Sequence, residues 1–430
     1  MFDLAINDAD FIVTSDNQNR VLSNSSIGVT YGAIVEISPS PLPAKEIFDA
    51  KGKLIAPGLI NTHTHLAMTL FRGWAEGVDL QGFLERVWAA EGAIMNPETA
   101  ELGTSLGALE ALLGGTTTAL DMYLFPDAAH KGAVQAGLRH ISGPIFFDSA
   151  GLDGMEWSDR IAFARSWNEK IKEIGGPQVP LYLMPHSTYT CSPQHLQEIA
   201  VLAKELGAAI NIHASENLKE NDDVTKRYGK TPTEILKESG ILDVHTVYGH
   251  GVHLSDSDLD SLGNQGVAHC PGSNLKLSSG IADVTKYRER GIQVGLGTDG
   301  CSSSNDLDMW SVMRLAGYLI SQSRGPEKSD AATIFRMATV DGAAALGIED
   351  IVGSIEIGKR ADLIALDLGA PHLIPMHDVF AQLVYSAGRS DVTDVWVDGR
   401  AVVRDQESTS IDFPQLKQRV LTRTTALKGK

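Results

Sequence analysis

Leu59-Ile60-Asn61-Thr62-His63-Thr64-His65 runs from an apolar burst into two histidines two positions apart. On an extended strand, alternate side chains point to the same side, so His63 and His65 can reach one metal ion. The same grammar returns along the chain. Ala209-Ile210-Asn211-Ile212 ends in His213, with Glu216 three residues later; Thr246-Val247-Tyr248-Gly249 ends in His250. Val294-Gly295-Leu296-Gly297-Thr298 ends in Asp299, and Leu183-Met184-Pro185 ends in His186. A lone histidine after an apolar run is more often a satisfied structural residue. Five strand ends that each deliver His or Asp point to a shared site.

Working outward, the middle of the chain alternates apolar bursts with amphipathic stretches. The bursts are 54–60, 116–122, 141–147, 181–184, 208–212, 246–248, 266–270 and 292–296, with helical stretches such as 193–206 and 232–239 between them. Eight parallel βα units over about 250–300 residues are what a (β/α)8 barrel requires, with the active site at the C-terminal ends of its strands. An open doubly wound sheet would favour a glycine-rich phosphate turn after its first strand, and none occurs. Both ends of the chain read differently, as short strands with turn chemistry. Segments 10–14 and 32–37 flank Ser15-Asp16-Asn17-Gln18-Asn19, and segments 362–366, 392–397 and 401–403 include the hairpin signal Asp398-Gly399. The expected architecture is a distorted (β/α)8 TIM barrel over 57–361. A small β-sandwich is expected from residues 1–56 and 362–430 together.

Composition narrows the function. The 430 residues carry 54 acidic against 36 basic side chains, a net charge of −18 that repels nucleic-acid phosphates and anionic lipid. Cys191, Cys270 and Cys301 form no C-x-x-C pair, so neither a disulfide framework nor a cysteine zinc site is expected. The start Met1-Phe2-Asp3-Leu4-Ala5 lacks the pattern of a signal peptide, and no apolar run is long enough to cross a bilayer. A cytoplasmic enzyme with a small-molecule heterocyclic substrate is the expectation, with a homo-oligomer as its assembly. His130, His140, His195, His245, His372 and His377 are read as helical or loop residues, and His253 and His269 as flanking the site. Three imidazoles and a carboxylate suit Zn2+, with Fe2+ also compatible.

The order His63-x-His65, His213, His250, Asp299 resembles the amidohydrolase superfamily, in its mononuclear aminohydrolase branch. The likeness covers nearly the whole chain, including Gly353-Ser354-Ile355-Glu356-Ile357-Gly358-Lys359-Arg360-Ala361-Asp362-Leu363 at the exit from the barrel. Finer motifs are similar to the methylthioadenosine/S-adenosylhomocysteine deaminase group. They are Thr69-Leu70-Phe71-Arg72-Gly73, Trp88-Ala89-Ala90-Glu91-Gly92, segment 269–277 beginning His269-Cys270-Pro271, Gly297-Thr298-Asp299-Gly300, and Asn305-Asp306-Leu307-Asp308-Met309. The resemblance implies that His63, His65, His213 and Asp299 bind metal. It implies that Glu216, His250 and Asp299 serve catalysis, and that Glu91, His186, Glu216 and Ser303 contact substrate. Binuclear members carry a bridging lysine at the end of the fourth strand; here Met184-Pro185-His186 stands there, so one metal per chain is expected.

The implied reaction is hydrolytic removal of the amino group of an adenine nucleoside, releasing ammonia. Two departures bear on the substrate. Gly143-Pro144 stands where S-adenosylhomocysteine-using members carry an arginine, although Arg160 further along could substitute. Phe83 and Ala89 replace the usual tryptophan and proline near Trp88. Methylthioadenosine, 5′-deoxyadenosine or adenosine is therefore expected to outrank S-adenosylhomocysteine. The alternatives on the same scaffold are an aminohydrolase of a guanine-like base, pterin or s-triazine, and a cyclic-amide hydrolase or triazine dechlorinase. A non-enzymatic barrel scaffold is the remotest. The cytidine-deaminase type needs H-x-E with P-C-x-x-C, and neither motif is present.

Overall fold

The computed structural model describes residues 1–427. Its centre is a ring of eight parallel strands: β1 (Leu59–His65), β2 (Thr116–Asp121), β3 (Arg139–Ser142 and Ile145–Phe146), β4 (Tyr182–Pro185), β5 (Ala209–Ala214), β6 (Thr246–His250), β7 (Gly266–His269) and β8 (Gln293–Leu296 and Asp299–Gly300). Hydrogen bonding divides the ring into two arcs, and two strands change arcs partway. The first half of β3 pairs with β2 and its second half with β4. The first half of β8 pairs with β7, while Asp299-Gly300 pairs with Thr64-His65 of β1. These two switches make the barrel distorted.

Local chemistry explains the breaks. The expected single strand 141–147 is interrupted because Pro144 has no N–H to give to a ladder. Gly143 is pressed against β4, and a Cβ there would lie 2.1 Å from the Tyr182 carbonyl oxygen. The burst 54–60 likewise proves to be two strands. Lys53–Pro57 belongs to the terminal sheet and β1 to the barrel, with the change made at Gly58. A Cβ at Gly58 would meet the Thr117 hydroxyl at 2.1 Å, so only glycine lets the chain pass. The helix Pro193–Leu206 occupies the expected residues. Its N-cap Ser192 accepts from the His195 N–H, Pro193 follows at the first turn, and Leu196, Ile199, Ala200 and Ala203 face the core.

Strands from both termini, within 2–57 and 363–408, hydrogen-bond into one nine-stranded sheet. It folds over its own core, in which Trp396 meets Phe48 edge-on at 4.9 Å among Leu4, Ile27, Ile34 and Leu363. Val21–Thr30 and Ala44–Asp49 join this sheet although their sequences do not alternate cleanly. The Asp398-Gly399 turn has positive φ at both residues (50° and 70°), the twist a two-residue hairpin demands. Buried Arg139, at the start of β3, grips Asp362 with two hydrogen bonds of 2.8 and 2.9 Å and reaches Asp398 at 2.5 Å. That fork ties the barrel to the terminal sheet. The C-terminal helix Phe413–Thr424 leaves the sheet and sets Leu416 against Leu102 and Leu109 on a barrel helix. Among the described residues no helix is long and apolar enough to cross a membrane.

Candidate active site

The strand ends bring His63, His65, His213, His250 and Asp299 to one floor, as the spacing led one to expect. His63 Nε2 and His213 Nε2 lie 3.1 Å apart, His213 Nε2 and His65 Nε2 3.3 Å, and His65 Nε2 and Asp299 Oδ1 3.1 Å. Each imidazole is aimed by a hydrogen bond on its other nitrogen. His65 Nδ1 donates to the Met122 carbonyl at 2.6 Å and His213 Nδ1 to the His186 carbonyl at 2.7 Å. His63 Nδ1 donates to Asn211 Oδ1 at 3.3 Å, and Asn211 is fixed by donating to the Val247 carbonyl. With the Nδ1 protons committed, neutral His63 and His213 turn Nε2 lone pairs toward each other, whereas His65, despite its burial, is raised to about 9 by the Asp299 carboxylate it faces. Burial keeps His63 and His213 well below the usual imidazole range, so neither becomes charged to relieve the contact.

Lone pairs facing at such distances call for a cation. With zinc–nitrogen distances of about 2.0–2.1 Å, tetrahedral ligands sit about 3.3–3.4 Å from each other. The donor set therefore fits a divalent metal, and ligand atoms of His63, His65 and His213 gather within 4.8 Å. Asp299 belongs to a second such group, with His63 and His250. Its Oδ2 accepts from Ser273 and Ser303, each at 2.6 Å, which leaves Oδ1 toward the histidines.

Ser303, expected to touch substrate, is buried, and its hydroxyl donates to Asp299. Ser273 shares this duty and was not singled out, since a serine's bonding direction leaves no mark in sequence. His250 donates from Nδ1 to Asn274 Oδ1 at 2.9 Å, and its Nε2 stands 3.8 Å from Glu216 Oε2. His250 and Asp299 are left-handed non-glycine residues (φ 74° and 57°), as is Ser215 (φ 52°) beside Glu216. Such backbone costs roughly 1–3 kcal/mol each and persists where packing over-determines it, commonly at functional sites.

A cavity of about 220 Å³ opens above this floor. Glu216 and His186 line it, as does Glu91 on the helix Leu80–Ile94. Glu91 is buried and accepts a 2.5 Å hydrogen bond from Tyr123, a partner that sequence reasoning missed. Burial pushes its carboxyl up to about 7, with the Tyr123 hydroxyl pulling the other way. Burial also raises Glu216. The remaining walls are largely apolar or aromatic, among them Phe83, Trp88, Phe147 and Leu152. Arg160 does not enter the cavity. Asp153 holds it at 2.7 and 2.9 Å, it donates to the Ile145 and Ala150 carbonyls, and it lies behind the Phe147 ring. Among the described residues no lysine or arginine lines the cavity.

Two histidines read as bland take part in holding the floor. His140, assigned to a helix or loop, lies in β3 because the strand starts before the apolar burst does. It donates from Nε2 to Asp121 Oδ2 at 2.9 Å, while its Nδ1 meets His130 Nδ1 at 3.0 Å. Asp121 Oδ1 accepts the N–H of Leu66, the residue after His65. The three cysteines are free and buried.

The amidohydrolase family matches residues 54–402. A 5-methylthioadenosine/S-adenosylhomocysteine deaminase of Thermodesulfovibrio yellowstonii is 37% identical over 95% of both chains. A 5′-deoxyadenosine deaminase of Methanosarcina mazei is 37% identical over 96% of this chain and 95% of its own. Among solved structures, an adenosine deaminase of Xanthomonas campestris with bound zinc superimposes with a TM-score of 0.95 at 31% identity, covering 100% of this chain and 99% of that one. With the family matched over residues 54–402 and relatives 37% identical along almost its full length, the chain belongs to the amidohydrolase family.

Proposed function

We propose that the protein is a hydrolytic deaminase of adenine nucleosides, using one zinc ion per chain held by His63, His65, His213 and Asp299. The observation that carries this reading is a floor of metal-ligating groups with Glu216 beside it, together with a second buried carboxylate, Glu91, in the same cavity. A zinc ion bound there supplies water activation near neutral pH. The protein's own groups do the rest. Glu216, raised by burial, takes a proton from the attacking water and gives it to the ring nitrogen next to the amino-bearing carbon. A second proton passed by the same carboxyl lets the amine leave as ammonia, since it cannot depart as an anion. His250, its Nδ1 held by Asn274, is raised by the Glu216 and Asp299 charges against the effect of burial, so a protonated Nε2 can orient the water and meet developing negative charge.

Glu91 gives the substrate class. A carboxylate can accept from the ribose 2′- and 3′-hydroxyls, and such charge-assisted bonds are about twice as strong as neutral ones. With Arg160 paired to Asp153 and absent from the cavity lining, an amino-acid carboxylate in the cavity would find no countercharge. Gly143 offers no remedy, for its close contact with Tyr182 leaves no room for a side chain. Methylthioadenosine, 5′-deoxyadenosine and adenosine are therefore favoured over S-adenosylhomocysteine. The test is elemental analysis of the active protein, then ammonia release across these nucleosides, free aminopurines, pterins and s-triazines. The expected result is about one zinc per chain and preference for a nucleoside. Two metals per active chain would overturn the mononuclear reading, and preference for a ribose-free ring would overturn the substrate.

A further inference from the structure

Glu220 is a buried carboxylate that this chemistry leaves without a task. It lies on the first turn of the helix Leu218–Tyr228, four residues after Glu216, and only 4% of its surface is exposed. An acidic side chain taken from water needs partners, and both of its oxygens have one. Oε2 accepts the backbone N–H of Glu216 at 2.8 Å, and Oε1 accepts the Thr188 hydroxyl at 3.0 Å. Its own N–H goes to the N-cap side chain of Asn217 at 2.8 Å. In an ordinary capping box the third-turn-position Glu would reach back to the N–H of Asn217. Here it reaches one residue further, past the helix, to Glu216.

Both partners belong to the cavity's frame. Glu216 leaves β5 through Ser215, whose left-handed backbone (φ 52°) turns the chain sharply. Thr188 sits between His186 and Tyr189, both of which line the cavity. We infer that Glu220 is a positioning residue: it clamps the backbone of Glu216 to the loop after β4 and so sets where the Glu216 carboxyl stands over the floor. Without it the Glu216 N–H is left unpaired in a dry setting and the Ser215 turn loses its restraint. This inference rests on the reading of Glu216 as the proton carrier.

The experiment compares metal-loaded full-length wild type, Glu220→Ala, Glu220→Gln and Thr188→Val on methylthioadenosine and adenosine, with zinc content and melting temperature measured alongside. A shift of about 1 Å in a catalytic group can cost on the order of 10²-fold, so Glu220→Ala should lower kcat by about 10–100-fold. KM should stay within about threefold and zinc content at the wild-type level, as expected when only transition-state contacts are lost. Glu220→Gln keeps an oxygen that can accept the Glu216 N–H and should recover most of the loss, with Thr188→Val in between. Wild-type kcat in Glu220→Ala overturns the proposal. So does a joint fall of zinc content, melting temperature and affinity, which marks a merely structural group. If Glu220→Ala does not fold, the other two decide: unchanged kcat in Thr188→Val, or a Gln variant as inactive as a Glu216 variant, overturns it. A wild type that releases no ammonia from either nucleoside overturns the functional reading, whereas an active wild type indifferent to Glu220 overturns this inference alone.

Discussion

The floor and the walls of the cavity are built on opposite principles. On the floor, His63, His65, His213, His250 and Asp299 each carry a hydrogen bond from the atom that faces away from the site, so their orientation is settled before anything binds. The walls come from the helix Leu80–Ile94 and the loop around 147–152, where packing is looser. Trp88 is 40% exposed and Leu152 43% exposed beside the cavity. Chemistry needs groups preorganised to a fraction of an ångström, while an apolar wall needs only shape and dryness. A change on the floor should therefore alter turnover, and a change on the walls should alter selection among substrates.

Glu216→Gln tests the floor most severely. It keeps shape but removes the transferable proton, so turnover should fall about 10²–10⁴-fold with metal content unchanged. Near-normal turnover would make Glu216 a bystander and dissolve the contrast. Glu91→Ala comes next, since Glu91 is the one ionisable group of the helical wall. kcat/KM for adenosine or methylthioadenosine should fall by about 2–4 kcal/mol, roughly 30-fold to several hundred-fold, on the scale of hydrogen bonds to a charged group. Ribose-free substrates should be little affected. Equal losses on both classes would assign Glu91 to structure.

The acidity of Glu91 sharpens the same point. Its carboxyl is raised to about 7, so it is protonated below that pH and ionised above it. Nucleoside kcat/KM should accordingly decline as pH falls through about 7, by up to about tenfold per unit, on a limb that Glu91→Gln lacks. Tyr123→Phe removes a donor that favours the charged form, so that limb should move to higher pH. A pH profile identical in wild type and Glu91→Gln would contradict the assignment. The smallest effect is expected from Trp88→Ala: a rise in KM of about 3- to 10-fold from lost aromatic contact, with kcat nearly constant. A matching fall in kcat would show that this wall also positions the reacting atoms.

Reading the sequence went furthest where position along a strand already implies direction. An apolar burst followed by His or Asp places a polar group at a barrel mouth, and that was enough for His63, His65, His186, His213, His250 and Asp299. It went astray where backbone contacts decide. The break at Gly58 depends on the proximity of Thr117, and the break at Gly143 on the proximity of Tyr182. His140 is a strand residue because β3 begins before its apolar stretch.

What the sequence by itself determined is the set of groups that meet: strand periodicity and the eight-fold alternation carry histidines and an aspartate more than two hundred residues apart to one face. Only the tertiary structure decided what each group does there. Ser303 donates to Asp299, Arg160 pairs with Asp153, Tyr123 takes one oxygen of Glu91, and Glu220 reaches Glu216 and Thr188. The physical reason is that strand and helix periods are properties of a local chain. The choice of hydrogen-bond partner by a buried side chain depends on angles and distances set by segments remote in sequence.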